Sequence, residues 1–95
     1  MNQKEHQKIN DNMRQKMDII YFSKSIQAYN DKDLGDIMNK VKHFKSFSID
    51  NDPHKVHDFG IFMHNGEKIC WKIETRYPQN IPCKKYLVIM KASEY

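Results

Sequence analysis

The sequence predicts a small α+β domain: a four-stranded, mostly antiparallel sheet with one or two helices packed on one face. Two observations carry this. Apolar residues recur at a helical period before Asn51 and at a period of two after it, and an Asn65-Gly66 pair sits inside the second region. A third observation sets the scale. Ninety-five residues at 39% hydrophobic content supply one modest core and no second one. Residues 1–95 are therefore read as a single domain, with about residues 1–7 disordered at its start.

From Asn2 to Lys16 the apolar residues are Ile9 and Met13, an i,i+4 pair that supports a short helix over 8–16. Asp18 to Ser23, DIIYFS, is a β-branched and aromatic run too short for a helix, hence the first strand. Leu34, Ile37, Met38, Val41 and Phe44 line one helical face. Asn30 or Asp31 caps its start, Asp33 and Asp36 suit the positive end of its dipole, and Lys40, Lys42 and Lys45 suit the negative end. This predicts a firm helix over 31–44. Residues 45–55 contain Asp50-Asn51-Asp52-Pro53 and read as a loop.

Asn-Gly takes positive φ at both central positions of a type I′ turn at little cost, so Asn65 and Gly66 close a hairpin and set its register. His64 then faces Glu67, Phe62 faces Ile69, Gly60 faces Trp71 and Asp58 faces Ile73. Phe62, Ile69, Trp71 and Ile73 share the face expected under the helix. Phe59, Ile61, Met63 and Cys70 share the other, diluted by Lys68, Lys72 and Glu74. Trp71 lies across Gly60, where a large ring covers backbone that has no side chain of its own. Pro78 and Pro82 mark a loop over 76–83. Lys84 to Ala92, apolar on both faces, reads as a last strand placed centrally.

The formal charge of +4 comes from 16 Lys and Arg against 12 Asp and Glu, spread over both halves of the chain. The densest basic spot is Lys40, Lys42 and Lys45 around His43, with Lys84-Lys85 a second. A solvated surface accounts for these lysines, and contact with nucleic acid is the alternative. A chain of this sign does not imitate a polyanion. No run reaches the 18 or so apolar residues of a membrane span, and MNQKEHQKIN lacks the apolar region of a secretory signal. A cytoplasmic location follows, with no membrane partner and with Cys70 and Cys83 kept as thiols.

The reactive side chains concentrate at Asp50, Asp52, His54, His57 and Asp58. A calcium loop starting at Asp50 fails, because its sixth position is Lys55 and its twelfth is Ile61. Zinc on His54, His57, Cys70 and Cys83 is disfavoured by cysteines set too far apart for a structural site. The plainer reading has Asp50 or Asp52 capping turn amides while His57 and Asp58 hydrogen-bond across the loop. Asp58-Phe59-Gly60 spells a kinase motif without the glycine-rich loop, strand lysine or catalytic loop that give it meaning, and no P-loop, G-x-G-x-x-G or G-x-S-x-G is present. Neither cysteine has the context of a nucleophile. No enzymatic activity, catalytic residue, metal or cofactor is therefore expected. An RNA-recognition sheet, with Phe59 and Tyr86 beside Lys68 and Lys72, competes with ordinary core packing of the same aromatics.

Asn51-Asp52-Pro53, His57-Asp58-Phe59-Gly60, Gly66-Glu67, Trp71-Lys72-Ile73-Glu74 and Ile89-Met90-x-Ala92-x-Glu94-Tyr95, taken in this order, resemble bacterial domain-of-unknown-function family 3768. The resemblance runs from about Asp18 to Tyr95. It departs from the family at Glu74, where Asp is common, in the short 76–83 segment, and at Cys70, Cys83 and His54, which are not regular there. It directs attention to His57, Asp58, Trp71, Lys72 and Glu74. The family has no assigned reaction, and its association with plasmids and prophages implies an accessory role against host defences.

The functional expectation is accordingly a non-enzymatic binding protein, a phage or plasmid factor that inhibits a bacterial defence system in the anti-CRISPR manner by binding a host protein complex, with a nucleic-acid-bearing defence effector among the candidates. Its contact residues would be Lys40, Lys42, Lys45, His57, Asp58, Lys72 and Glu74, on a scaffold held by Gly60, Asn65, Gly66 and Trp71. The alternative is a small direct nucleic-acid binder that uses the surface lysines.

Overall fold

The sheet has the strand order β1-β4-β3-β2. In the computed structural model, which describes residues 2–17, 19–47, 52, 55–76 and 84–95, its strands are β1 (Ile20–Phe22), β2 (Phe59–His64), β3 (Glu67–Arg76) and β4 (Lys84–Lys91). β2–β3 and β3–β4 are antiparallel, and β1 joins β4 in parallel. β4 lies centrally, as its apolar residues on both faces predict. The expected turn at Asp50-Asn51-Asp52-Pro53, of which only Asp52 is described, and the loop with Pro78, Pro82 and Cys83 lie outside the described residues, as does His54.

The hairpin takes the expected register. Gly60 faces Trp71, Phe62 faces Ile69 and His64 faces Glu67, while the Ile73 amide donates to the Asp58 carbonyl at 2.8 Å and continues the ladder. Asn65 (φ 49°) and Gly66 (φ 80°) supply the left-handed backbone of the turn. A Cβ at Gly60 would come within 2.5 Å of Trp71 Nε1 and 2.6 Å of the Phe44 ring. Only glycine lets those two rings close over the strand.

Three helices lie over the face carrying Trp71. α1 spans Gln3–Lys16, starting earlier than the expected 8–16 because the Asn2 side chain accepts from the Glu5 amide and caps it. α2 (Lys24–Gln27) is a single turn that the apolar pattern did not announce, since Ile26 is its one buried residue. α3 spans Asp31–Lys42, capped by the Asn30 side chain on the Asp33 amide, and stops short of Phe44. Ile37 and Val41 of α3, Ile26 of α2, Ile69 and Trp71 of β3, and Leu87 and Ile89 of β4 are fully buried, with Phe44 closing one end. Full burial of each such side chain contributes about 1.5–3 kcal/mol relative to exposure, so the core rests on α3 and the two central strands.

After β4 the chain makes one 3-10 turn over Ala92–Glu94. Glu94 accepts from the Ser23 and Ser25 hydroxyls and from the Lys91 amide, fastening this end beside β1 and α2.

Candidate functional site

α1 is stitched to the loop before β2 by side chains spaced along one of its faces. Gln7 donates to the Lys55 carbonyl, Asn10 donates to the Val56 carbonyl at 2.9 Å, and Asp11 Oδ1 lies 3.1 Å from His57 Nδ1. Asn10 also accepts from Lys85 at 2.8 Å, which ties the helix to β4. On the loop side Asp52, 4% exposed, accepts from the Val56 and His57 amides at 3.0 and 3.1 Å. This is the amide-capping role expected of Asp50 or Asp52. It also holds His57 at φ 58°, two residues after Lys55 at φ 55°, left-handed conformations that are uncommon for residues other than glycine.

His57 Nδ1 is within hydrogen-bond distance of Asp11, and Nε2 lies 3.8 Å from Asp52. The imidazole lies flat on the Phe47 ring, centroids 3.8 Å apart at 4°. An imidazole held this way is well placed to orient a loop.

Arg14 lies beneath this cluster. It is 4% exposed, its guanidinium sits 4.8 Å from the Trp71 ring and 5.3 Å from that of Phe47, and Nη2 donates to Asp11 at 3.1 Å. Nε and Nη1 are buried without a hydrogen-bond partner among the described residues. Burial pushes the Arg14 pKa down from its ordinary value, and Asp11 opposes that shift. Arg14 lines a cleft of about 450 Å³ whose other walls include Asp11, Lys42, Lys45, Phe47 and His57.

The structure divides the residues singled out in the sequence. His57, Trp71, Lys42 and Lys45 belong to the helix-covered side, around the cleft. Lys72 and Glu74 pair with each other at 2.7 Å on the opposite face of the sheet, where Lys72 also lies 5.5 Å from the Tyr95 ring. Asp58 contributes its carbonyl to the strand ladder. Lys40 points elsewhere, donating to the Met63 carbonyl at 2.9 Å and lying 3.4 Å from His64 Nδ1. Gly60 faces Trp71 across the hairpin, and Asn65 and Gly66 form its turn.

Asp11, Arg14 and Phe47 join the site without having been singled out for it. A signal was present. Asn10, Met13, Arg14 and Met17 recur at i, i+3, i+4 and i+7, and Asn10 and Arg14 are the buried residues of α1. Two polar members in that face hide it from a search for apolar periodicity.

The face opposite the helices carries Tyr21, Phe59, Ile61, Met63, Tyr86 and Val88. Tyr21, Ile61 and Met63 are 52%, 40% and 53% exposed. Tyr21 and Tyr86 pack as a tilted pair at 5.4 Å, and Phe59 meets Tyr95 edge-on at 5.2 Å. Cys70 is a free thiol buried in this face, its pKa raised by burial. Among the described residues, no group of three or more His, Cys, Asp and Glu side chains is arranged to hold a metal ion, and no helix is long and apolar enough to cross a membrane.

A sequence profile described as "Protein of unknown function (DUF3768)" matches residues 22–83, more than half of the chain. The chain belongs to DUF3768. The matched span holds Phe22 at the end of β1, α2, α3, the hairpin, Phe47, His57 and Trp71, and it ends before β4. The α1 residues Asp11 and Arg14 and the terminal Glu94 lie outside it. No curated protein and no solved structure matches the chain.

Proposed function

We propose that this DUF3768 protein is a non-enzymatic binding protein that docks a protein partner on the helix-free face of its sheet. The observation that carries this reading is the apolar exposure at both edges of that face, Tyr21 on β1 and Ile61 and Met63 on β2, because apolar side chains left in solvent on an uncovered sheet face suit contact with a partner. A protein suits this face better than a nucleic acid. Lys72 pairs with Glu74, which leaves Lys68 as the exposed cation among the exposed apolar side chains of this face, whereas single-stranded nucleic acid asks for a groove lined by several cations. The non-enzymatic part is supported by the absence of a catalytic motif in the sequence and by His57 Nδ1, which pairs with Asp11 of the fold itself. In its fuller form, resting on the family resemblance, the partner is a host protein complex that a phage or plasmid accessory factor inhibits.

Affinity capture from host lysate with wild-type protein and with a Tyr21→Asp, Met63→Asp double variant tests it. Both positions are exposed, so the variant keeps its circular dichroism spectrum. The expected result is a stoichiometric protein partner with wild type that the variant loses. Recovery of RNA or DNA in place of protein, with retention that falls steeply as salt rises, overturns the reading in favour of a direct nucleic-acid binder.

A further inference from the structure

We propose that the cleft between α1 and the segment following α3 binds a phosphorylated small molecule, its phosphoryl group held by Lys42 and Lys45 above the Arg14 guanidinium. Its volume of about 450 Å³ lies in the range of small-ligand sites. Arg14 lines the cleft, 4% exposed, with Nε and Nη1 buried and unpartnered among the described residues. A buried cation normally has its donors matched, and an incompletely matched one costs stability. Here the one carboxylate bonded to it, Asp11, is shared with His57.

Charge decides the ligand class. Arg14, Lys42 and Lys45 against Asp11 leave two positive charges in excess among the lysine, arginine and carboxylate side chains that line the cleft. A phosphomonoester carries about −1.5 to −2 at neutral pH and matches this excess, whereas a carboxylate matches half of it. Arg and Lys are the side chains suited to phosphate oxygens, Arg through its fixed planar donors and Lys as a mobile point charge. The Phe47 and His57 rings, stacked in the cleft wall, offer an apolar surface to the organic part of the ligand. The cleft lies on the helix-covered side of the sheet, so this inference stands or falls separately from docking on the opposite face.

Isotope-labelled protein titrated with inorganic phosphate, with 5′-AMP and with adenosine provides the test. The Arg14 Nε–H resonance and the amides of residues 42–47 are expected to shift saturably with phosphate and with 5′-AMP, and to ignore adenosine. Lys42→Ser with Lys45→Ser should weaken binding by about tenfold or more, while Lys24→Ser with Lys32→Ser, two exposed lysines away from the cleft, leaves it unchanged. The inference is overturned if adenosine binds as well as 5′-AMP, if the two lysine pairs weaken binding equally, or if phosphate produces no saturable shift by about 10 mM.

Discussion

The two ends of the helix layer each place a histidine against an aspartate, and they differ in whether the surrounding polar groups are satisfied. At the hairpin end His64, 3% exposed, has Nε2 3.1 Å from Asp33 and Nδ1 3.4 Å from Lys40. Asn65 also donates to Asp33, at 3.3 Å. Glu67 accepts from Tyr29 at 2.9 Å and pairs with Lys91 at 2.8 Å. Each of these charges has a partner, so this end works as a fastener between α3 and the turn. At the other end His57 is equally well held, yet Arg14 below it keeps two buried donors unmatched. Buried polar groups that are fully matched serve the fold, and a cation left short of partners marks a place where something else can bind.

The largest effect expected is on the floor of the cleft. Trp71 is fully buried and supports Arg14, Phe44 and Phe47, so Trp71→Ala should cost about 3–5 kcal/mol, a large share of a small domain's stability. Chemical denaturation is expected to find that variant unfolded. His57→Ala, which removes hydrogen bonds and one stacked ring, should remain folded and lose about 1–2 kcal/mol. Equal damage from both substitutions would make His57 part of the core and erase the distinction drawn for the cleft end.

A paired substitution compares the two ends directly. Asp33→Ala strands the buried His64 ring and should destabilise by about 1–3 kcal/mol. Arg14→Met keeps an unbranched chain over Trp71 while removing a poorly matched charge, and should be neutral or stabilising in thermal melts. If Arg14→Met instead proves as damaging as Asp33→Ala, the guanidinium is a structural group and the asymmetry disappears.

What could be read from the chain and what could not follows the range of the interactions. The hairpin, with its Gly60–Trp71 and Phe62–Ile69 pairs, was legible because one Asn-Gly turn sets everything within a few residues of it. The same register already separated Trp71 from Lys72 and Glu74. α3 was legible because Leu34, Ile37 and Val41 repeat on one face. The cleft was not, because it joins Asp11 and Arg14 to Phe47 and His57 across distant parts of the chain, and no local pattern encodes that meeting. α2 was missed for a different reason: with Ile26 as its single buried residue, one turn has no period to detect.

The smallest expected effect lies at the chain's last turn and concerns pH. Hydrogen bonds from Ser25, then the Lys91 amide, hold the Glu94 carboxyl below its ordinary 4.5. Its contribution is therefore fully present above that value and is lost as pH falls through the lower folded value. Protection of the Ser23 and Lys91 amides, taken relative to the intrinsic exchange rate at each pH, should fall on acidification through this window before the core opens, and Glu94→Gln should show the lower protection already at neutral pH.

The parallel pairing of β1 with β4 also orders events in time. Ile20 and Phe22 face Leu87 and Ile89, so the first strand has its place in the sheet only once the last has been synthesised. Until then the nascent hairpin lacks the neighbour that covers Ile69 and Trp71, and the helices upstream have half a platform. Long-range pairing of this kind slows folding. A ribosome-bound chain that stops before residue 84 should thus remain protease-sensitive throughout, with protection arriving in one step when β4 emerges.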